Sequence, residues 1–424
     1  MRRACLALLC LLIAGLVQPV TGQDANLLPD IPGRIAYIGM DYNVYTIDSG
    51  EEDHTALTTD AGVSGDTLRY YQLPTWSSDG RLAFFATILE RSGAAATEIL
   101  IATAESSETE SVYTGDGQNL TYAYWSPRNC GDNCRDLAVL LGDSSVNGFV
   151  VELIRSGERS RAIPIGTGAP FYFSWSADGE SMIWHRNNQR IDIFDVGSGE
   201  VVETLEETPG VFAAPGWSPV DDRLLFGAAA GSGETDLVIA ANGVVTPLAS
   251  GLTGPVWFAW SPDGSHVAYK HGDSPLFVVD TATGRTVARA QAQANIVAFF
   301  WSPDSRSIAY VTPFEDTPGS FSAKPNAQQE QPQVPRLRWS VLDVAQGSVR
   351  QLSAFTPTQE MIYLLSFFDQ FAYSHRVWSP DSRHLIYAEI APDRHPVISL
   401  LDATQAIAVP LIIADGVFGV WSFD

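Results

Sequence analysis

Basic residues are scarce in this chain. It carries 25 Lys and Arg against 49 Asp and Glu over 424 residues, a formal net charge of −24. A surface of that sign repels nucleic-acid phosphates and anionic lipid, so nucleic acid is not an expected partner. Cysteine is scarcer still, with four residues. Cys5 and Cys10 stand in an N-terminal apolar run, which leaves Cys130 and Cys134 in SPRNCGDNCRD. A C-x3-C pair with no His or further Cys nearby is a poor zinc site. The seven histidines are scattered, and none stands in H-E-x-x-H or another metal spacing. Asp132, Asp221 and Asp222 sit in turns, where caps are expected before calcium ligands. No metal and no cofactor is expected. The absence of G-x-S-x-G excludes the nucleophile elbow of α/β-hydrolases. Beyond the first 22 residues no apolar run is long enough to span a bilayer.

Those first 22 residues read as a secretory signal. Arg2 and Arg3 precede an apolar run over residues 5–17, and Val20-Thr21-Gly22 offers a small-residue cleavage site. The run is short for a membrane span, and a retained anchor is the alternative. Loss of Arg2 and Arg3 with the signal takes the charge from −24 to about −26. Export to the periplasm, the cell surface or the exterior is expected, with no stable membrane insertion after cleavage. In such a compartment Cys130 and Cys134 are expected to form one local disulfide.

What the chain does have is a repeat. Trp-Ser turn motifs begin at Trp76, Trp125, Trp175, Trp217, Trp260, Trp301, Trp378 and Trp421, at spacings of 49, 50, 42, 43, 41, 77 and 43 residues. A period of about 40–50 residues with four short strands per unit is the signature of a β-propeller. In the repeat around Trp260, VWFAW is a strand and SPDG a turn. HVAYK, PLFVVD and RTVARAQ follow as further strands. RLAFFA, LAVLL, SMIWH, RLLFG, SIAYV and HLIYA stand in the position of HVAYK elsewhere. The tryptophans read as structural wedges between sheets.

The expected fold is all-β: an eight-bladed propeller of four-stranded antiparallel blades, with seven blades as the alternative. RIAYIG, NVYTID and HTALTT give the first blade three strands and no inner one, and GVFGVWSFD gives an inner strand with no blade. The two fragments are expected to join and close the ring, leaving no sheet edge at the seam. The domain reading is a signal at 1–22, a linker at 23–33, and one propeller over 34–424 with a disordered insertion at 313–335.

WSPDGSHVAYK, WSPDSRSIAYV and WSPDSRHLIYA resemble the propeller repeats of the TolB-like family, whose consensus is close to WSPDG followed by an IAF-type strand. The resemblance covers nearly the whole chain after the signal. It implies the fold and leaves activity open. TolB itself carries an extra N-terminal domain, which is not expected here because the first strand begins at about Arg34.

Two segments break the repeat. PFEDTPGSFSAKPNAQQEQPQVP, rich in Pro, Gln, Ser and Ala, reads as a loop between two strands of one blade. TPTQEMIYLLSFFDQFAYSHRVWSPD leads into Trp378 and holds Phe367, Phe368, Asp369, Gln370, Phe371, Tyr373 and His375. Because strands alternate in direction, the two segments are expected on one rim. Two readings stay open. In one, the aromatic cluster binds a protein, peptide or glycan; in the other, it plugs the channel mouth. Ser374, His375 and Asp369 suggest a triad, but adjacent side chains on an extended strand point to opposite faces. The expected function is therefore a non-enzymatic, monomeric binding or scaffold propeller. A propeller hydrolase or lyase with a channel-mouth site is the alternative.

Overall fold

The computed structural model describes residues 33–48, 54–103, 108–127, 135–290, 295–314 and 336–423. The repeat around Trp260 shows how one unit is made. Strands Val256–Trp260, His266–His271, Leu276–Asp280 and Thr286–Ala290 pair in order, all antiparallel. Side chains alternate between the two faces, and neighbouring sheets cover both, so the strands are apolar on both sides. Ser261 closes the turn. Its Oγ lies 2.6 Å from Asp263 Oδ1 and accepts the His266 N–H at 2.9 Å. The same Ser–Asp contact recurs at Ser77–Asp79, Ser176–Asp178, Ser302–Asp304 and Ser379–Asp381.

The last turn position needs a positive φ. Gly264 adopts it at +67°, as glycine does without cost from a Cβ. In the next two motifs serine stands there, at φ 61° for Ser305 and 62° for Ser382. Each hydroxyl reaches the preceding repeat: Asp263 N–H donates to Ser305 Oγ at 3.0 Å, and Asp304 N–H to Ser382 Oγ at 3.1 Å.

The tryptophans stitch successive repeats. The indole N–H of Trp125 donates to the Thr75 carbonyl, Trp175 to Tyr124, Trp260 to Gly216, Trp301 to Ala259 and Trp378 to Phe300, at 3.1–3.5 Å. Each acceptor is the residue just before the preceding motif's tryptophan. The indole nitrogens of Trp76, Trp217 and Trp421 are buried without such a partner.

The described strands form seven hydrogen-bonded sheets: five of four strands, one of five and one of six. The expectation of eight blades is therefore corrected to seven, for two reasons. First, the eleven-residue strand Leu411–Trp421 serves two units. Its first half pairs with Pro396–Asp402, and its second half pairs with Arg34–Gly39, in the register Ile35↔Trp421 and Ile38↔Phe418. First and last repeats are thus one sheet. Second, no inner strand forms before Trp378, which makes only an isolated bridge to Leu385. The chain there is helical, with α1 at Gln359–Ser366 and α2 at Phe368–Phe371.

Candidate functional site in the central channel

Every Trp-Ser turn but the one at Trp378 follows an inner strand in the same direction, so these turns share one face of the ring. The connection from Val349–Phe355 to Trp378 starts on the opposite face and must run down the channel. Thr358 caps α1, accepting the Met361 N–H at 3.2 Å and donating its own hydroxyl to the Val417 carbonyl at 2.7 Å. Met361, Leu364, Leu365, Phe368 and Phe371 recur at helical spacing and are all buried.

The segment after α1 is tied to seven repeats. Tyr122 donates to the Gln370 carbonyl at 2.8 Å, and Gln370 Nε2 to the Phe173 carbonyl at 2.9 Å. Asp369 accepts the Ala214 N–H at 3.3 Å, and the Tyr373 hydroxyl accepts the Trp260 N–H at 2.9 Å. Thr75 donates to the Ser374 carbonyl, and Trp421 N–H to the Arg376 carbonyl, each at 3.0 Å. Phe368 packs on Phe299 with ring centroids 4.7 Å apart, and Phe371 on Tyr122 at 5.2 Å.

Phe368, Asp369, Gln370, Phe371 and His375 are accordingly buried, and Tyr373 half-buried. Phe367, 41% exposed, is the most open of the set, and Tyr373 faces the cavity described below. The sequence offered these residues either as a binding rim or as a plug, and their placement is that of a plug. The partner loop proposed beside them falls largely on residues 315–335, outside the described residues. So do Cys130, Cys134, Asp132 and the signal.

The Ser374–His375 pair corrects a second expectation. The two do not lie on a strand, and Ser374 Oγ stands 2.7 Å from His375 Nδ1. Both are nevertheless sealed in the plug, at 2% and 1% exposure. Burial pushes His375 down to about 3, so the imidazole is neutral at physiological pH. Burial raises the Asp369 carboxyl to about 6, against the N–H of Ala214. The Asp369 carboxylate accepts from the N–H groups of Ala214 and Gln370 instead of orienting His375, so no triad is assembled. Among the described residues no group of three or more His, Cys, Asp and Glu could hold a metal. Asp221 is bound instead to Arg223, at 2.9 Å. No described helix is long and apolar enough to cross a membrane.

Below the plug, on the Trp-Ser face, the channel stays open as a cavity of about 300 Å³. Its walls include Trp125, Trp260, Trp301, Trp378, Tyr124 and Arg376. Sequence reasoning assigned the tryptophans to structure alone and passed over Tyr124 and Arg376. A single arginine beside a repeat motif carries no motif of its own, though its isolation in an acidic chain was visible.

The fold agrees with solved propellers. The C-terminal WD40 domain of Sif2 superposes with a TM-score of 0.50 at 12% identity, covering 80% of this chain and 84% of that one. A structure titled as the eukaryotic initiation factor gives 0.51 at 11% identity, covering 92% and 98%. TolB from Acinetobacter baumannii is matched at 0.39 and 13% identity, over 84% and 83% of the two chains. At these identities the likeness shows the fold alone: the chain is a β-propeller. No protein-family model matches it, and no curated protein matches its sequence.

Proposed function

We propose that this propeller is an exported, monomeric, non-enzymatic binding protein of the TolB-like repeat type. It receives a peptide or protein segment at the open end of its channel. The observation that carries this reading is the asymmetry of the channel. The chain's own α1–α2 segment fills one end, where a propeller enzyme would gather polar groups. The other end is left as an indole-walled cavity on the Trp-Ser face. Aromatic and proline walls give apolar contact at little entropic cost, as binding sites require. The lining runs round the ring from Trp76 and Trp125 through Trp260 to Trp301 and Trp378, on the face opposite the rim singled out from the sequence. The acidic surface suits a soluble exported protein, and the Cys130–Cys134 pair suits an oxidising compartment.

Tryptophan emission tests this directly, because five of the lining residues, Trp76, Trp125, Trp260, Trp301 and Trp378, are indoles. Titration with a library of short peptides is expected to shift or quench the emission saturably for a subset of sequences. Turnover of generic peptidase or glycosidase substrates by purified protein, lost on blocking the channel mouth, would overturn the reading in favour of a hydrolase.

A further inference from the structure

Arginines stack on aromatic rings around the cavity, and all but one are neutralised. Arg81 lies over Trp125 at 4.7 Å and pairs with Asp79 at 3.0 Å. Arg223 lies over Trp260 at 4.8 Å and pairs with Asp221 at 2.9 Å. Arg34 lies over Trp76 at 4.5 Å, with Asp48 at 4.0 Å. Arg376 is the exception. Its guanidinium lies over Phe423 at 4.0 Å, and among the described residues it has no carboxylate partner. Its backbone carbonyl is engaged by Trp421, so the residue is held in place while the side chain is left with its donors unused.

Tyr124 shares the cavity with it. The Tyr124 carbonyl accepts the Trp175 indole, but its hydroxyl makes no hydrogen bond among the described residues. Burial raises the phenol's pKa, with Arg376 opposing, so the hydroxyl stays protonated and able to donate. Burial lowers the guanidinium's pKa to about 10, which still leaves it charged at neutral pH. The walls contribute no Asp, Glu, Lys or His. The cavity therefore presents strong side-chain donors, one positive charge and, among the described residues, no counter-ion.

An unpaired charge in low-dielectric surroundings is costly, and an anion that fills the gap relieves the cost. One guanidinium and one hydroxyl match one carboxylate, with the fork geometry that arginine offers. A dianionic phosphate would leave one charge uncompensated among indoles, in a protein whose net charge of −24 already repels it. An aromatic-walled hole could otherwise suit a cation, but Arg376 occupies that role and repels a second one. The indole and proline walls select an apolar body next to the anion.

We propose that the channel mouth binds a monoanionic carboxylate carried on an apolar or aromatic body, with Arg376 and Tyr124 as its hydrogen-bond donors. This deepens the binding reading given above and rests on it. The carboxylate has two sources of the same chemistry: the C-terminus of a peptide ending in an apolar residue, or a free aromatic acid.

The test compares acid with amide. Titrations by calorimetry use an acetylated tripeptide ending in phenylalanine with a free carboxylate, its C-terminal amide, phenylacetate and phenylacetamide. Both acids are expected to bind tighter than their amides by about tenfold or more, the value of one charge-assisted hydrogen bond. Tighter binding of the tripeptide acid than of phenylacetate assigns the site to peptide termini; the reverse assigns it to free acids. Arg376→Gln is expected to erase the difference between acid and amide, and Arg376→Lys to restore part of it. Tyr124→Phe keeps the ring and is expected to weaken the acids only. A circular-dichroism melt shows whether each variant is folded. Equal affinity of acid and amide, or an unchanged preference in folded Arg376→Gln, overturns the carboxylate assignment while leaving a peptide-binding mouth intact. No binding of any probe or library peptide to the folded protein removes both.

Discussion

The two ends of the channel are built from the same inner strands yet have opposite characters. At the α1–α2 end several inward polar groups meet a backbone partner, Gln370 Nε2 with Phe173, Asp369 with Ala214 and Tyr122 with Gln370, while Gln370 Oε1 and His375 Nε2 are sealed in without one. At the Trp-Ser end Arg376 and the Tyr124 hydroxyl meet none among the described residues. The difference separates a region optimised for folding from one left open to a ligand. Unused polar atoms sealed in the plug are beyond reach, whereas the donors of Arg376 and Tyr124 line an open cavity where a ligand can meet them.

The comparison breaks most severely if the strand shared by both units is cut. Deleting residues 417–424 removes Val417, Phe418, Val420 and Trp421, all buried, and strips Arg34–Gly39 of most of its pairing on one edge. A loss above about 5 kcal/mol is expected, since truncating one buried tryptophan alone costs about 3–5 kcal/mol. Insoluble protein or loss of a cooperative melt is the outcome; an unchanged melting temperature would refute the shared strand.

Within the plug, Phe371→Ala is expected to cost about 3–5 kcal/mol. Phe367→Ala, four residues earlier but exposed, should stay within about 0.5 kcal/mol. Urea denaturation of the two variants measures the contrast. Similar values for both would mean that the segment is not packed as a plug.

The plug also carries two titrations of opposite sign. Asp369 binds its proton more tightly when folded, so its stabilising contribution is full below its unfolded value near 3.8 and is lost as pH rises through about 6. His375 is held neutral, so its contribution is full above 6.5 and is lost as pH falls toward about 3. Asp369→Asn should therefore gain stability relative to the parent between pH 4 and 7, as read from paired melts across that range. A constant difference with pH would count against the buried carboxyl.

The smallest expected effect concerns the two cysteines of SPRNCGDNCRD. Purified mature protein should show no titratable thiol at Cys130 and Cys134 until reduced. Reduction should cost about 2 kcal/mol at most, because the closed loop is short. Two free thiols in oxidised native protein would argue against export.

The repeat was legible because its information is local. Trp, Ser, Pro, Asp and Gly at fixed places specify one turn and one wedge, whatever lies around them. The sheet count was not legible, since it depends on one strand pairing to both sides, and pairing partners are chosen by tertiary geometry. The plug lay between these cases. Thr358 followed by Met361, Leu364, Leu365 and Phe368 has a helix's spacing, but aromatic density drew the reading toward a surface. An extended backbone was then assumed for Ser374 and His375, and it placed them on opposite sides when they face one another. Arg376 needed the structure, because its meaning lies in what is absent around it.

Ser305 and Ser382 alter how the ring comes apart. A propeller held only by wedges between sheets can lose one sheet while its neighbours persist, as a row of weakly coupled units does. Here two hydroxyls, each on a backbone strained into positive φ, tie three consecutive turns in series. Opening any of these turns slackens the next, so this arc is expected to exchange its amide hydrogens as one cooperative block. Glycine at both positions would relax the backbone and uncouple the block, leaving three separate exchange rates in place of one.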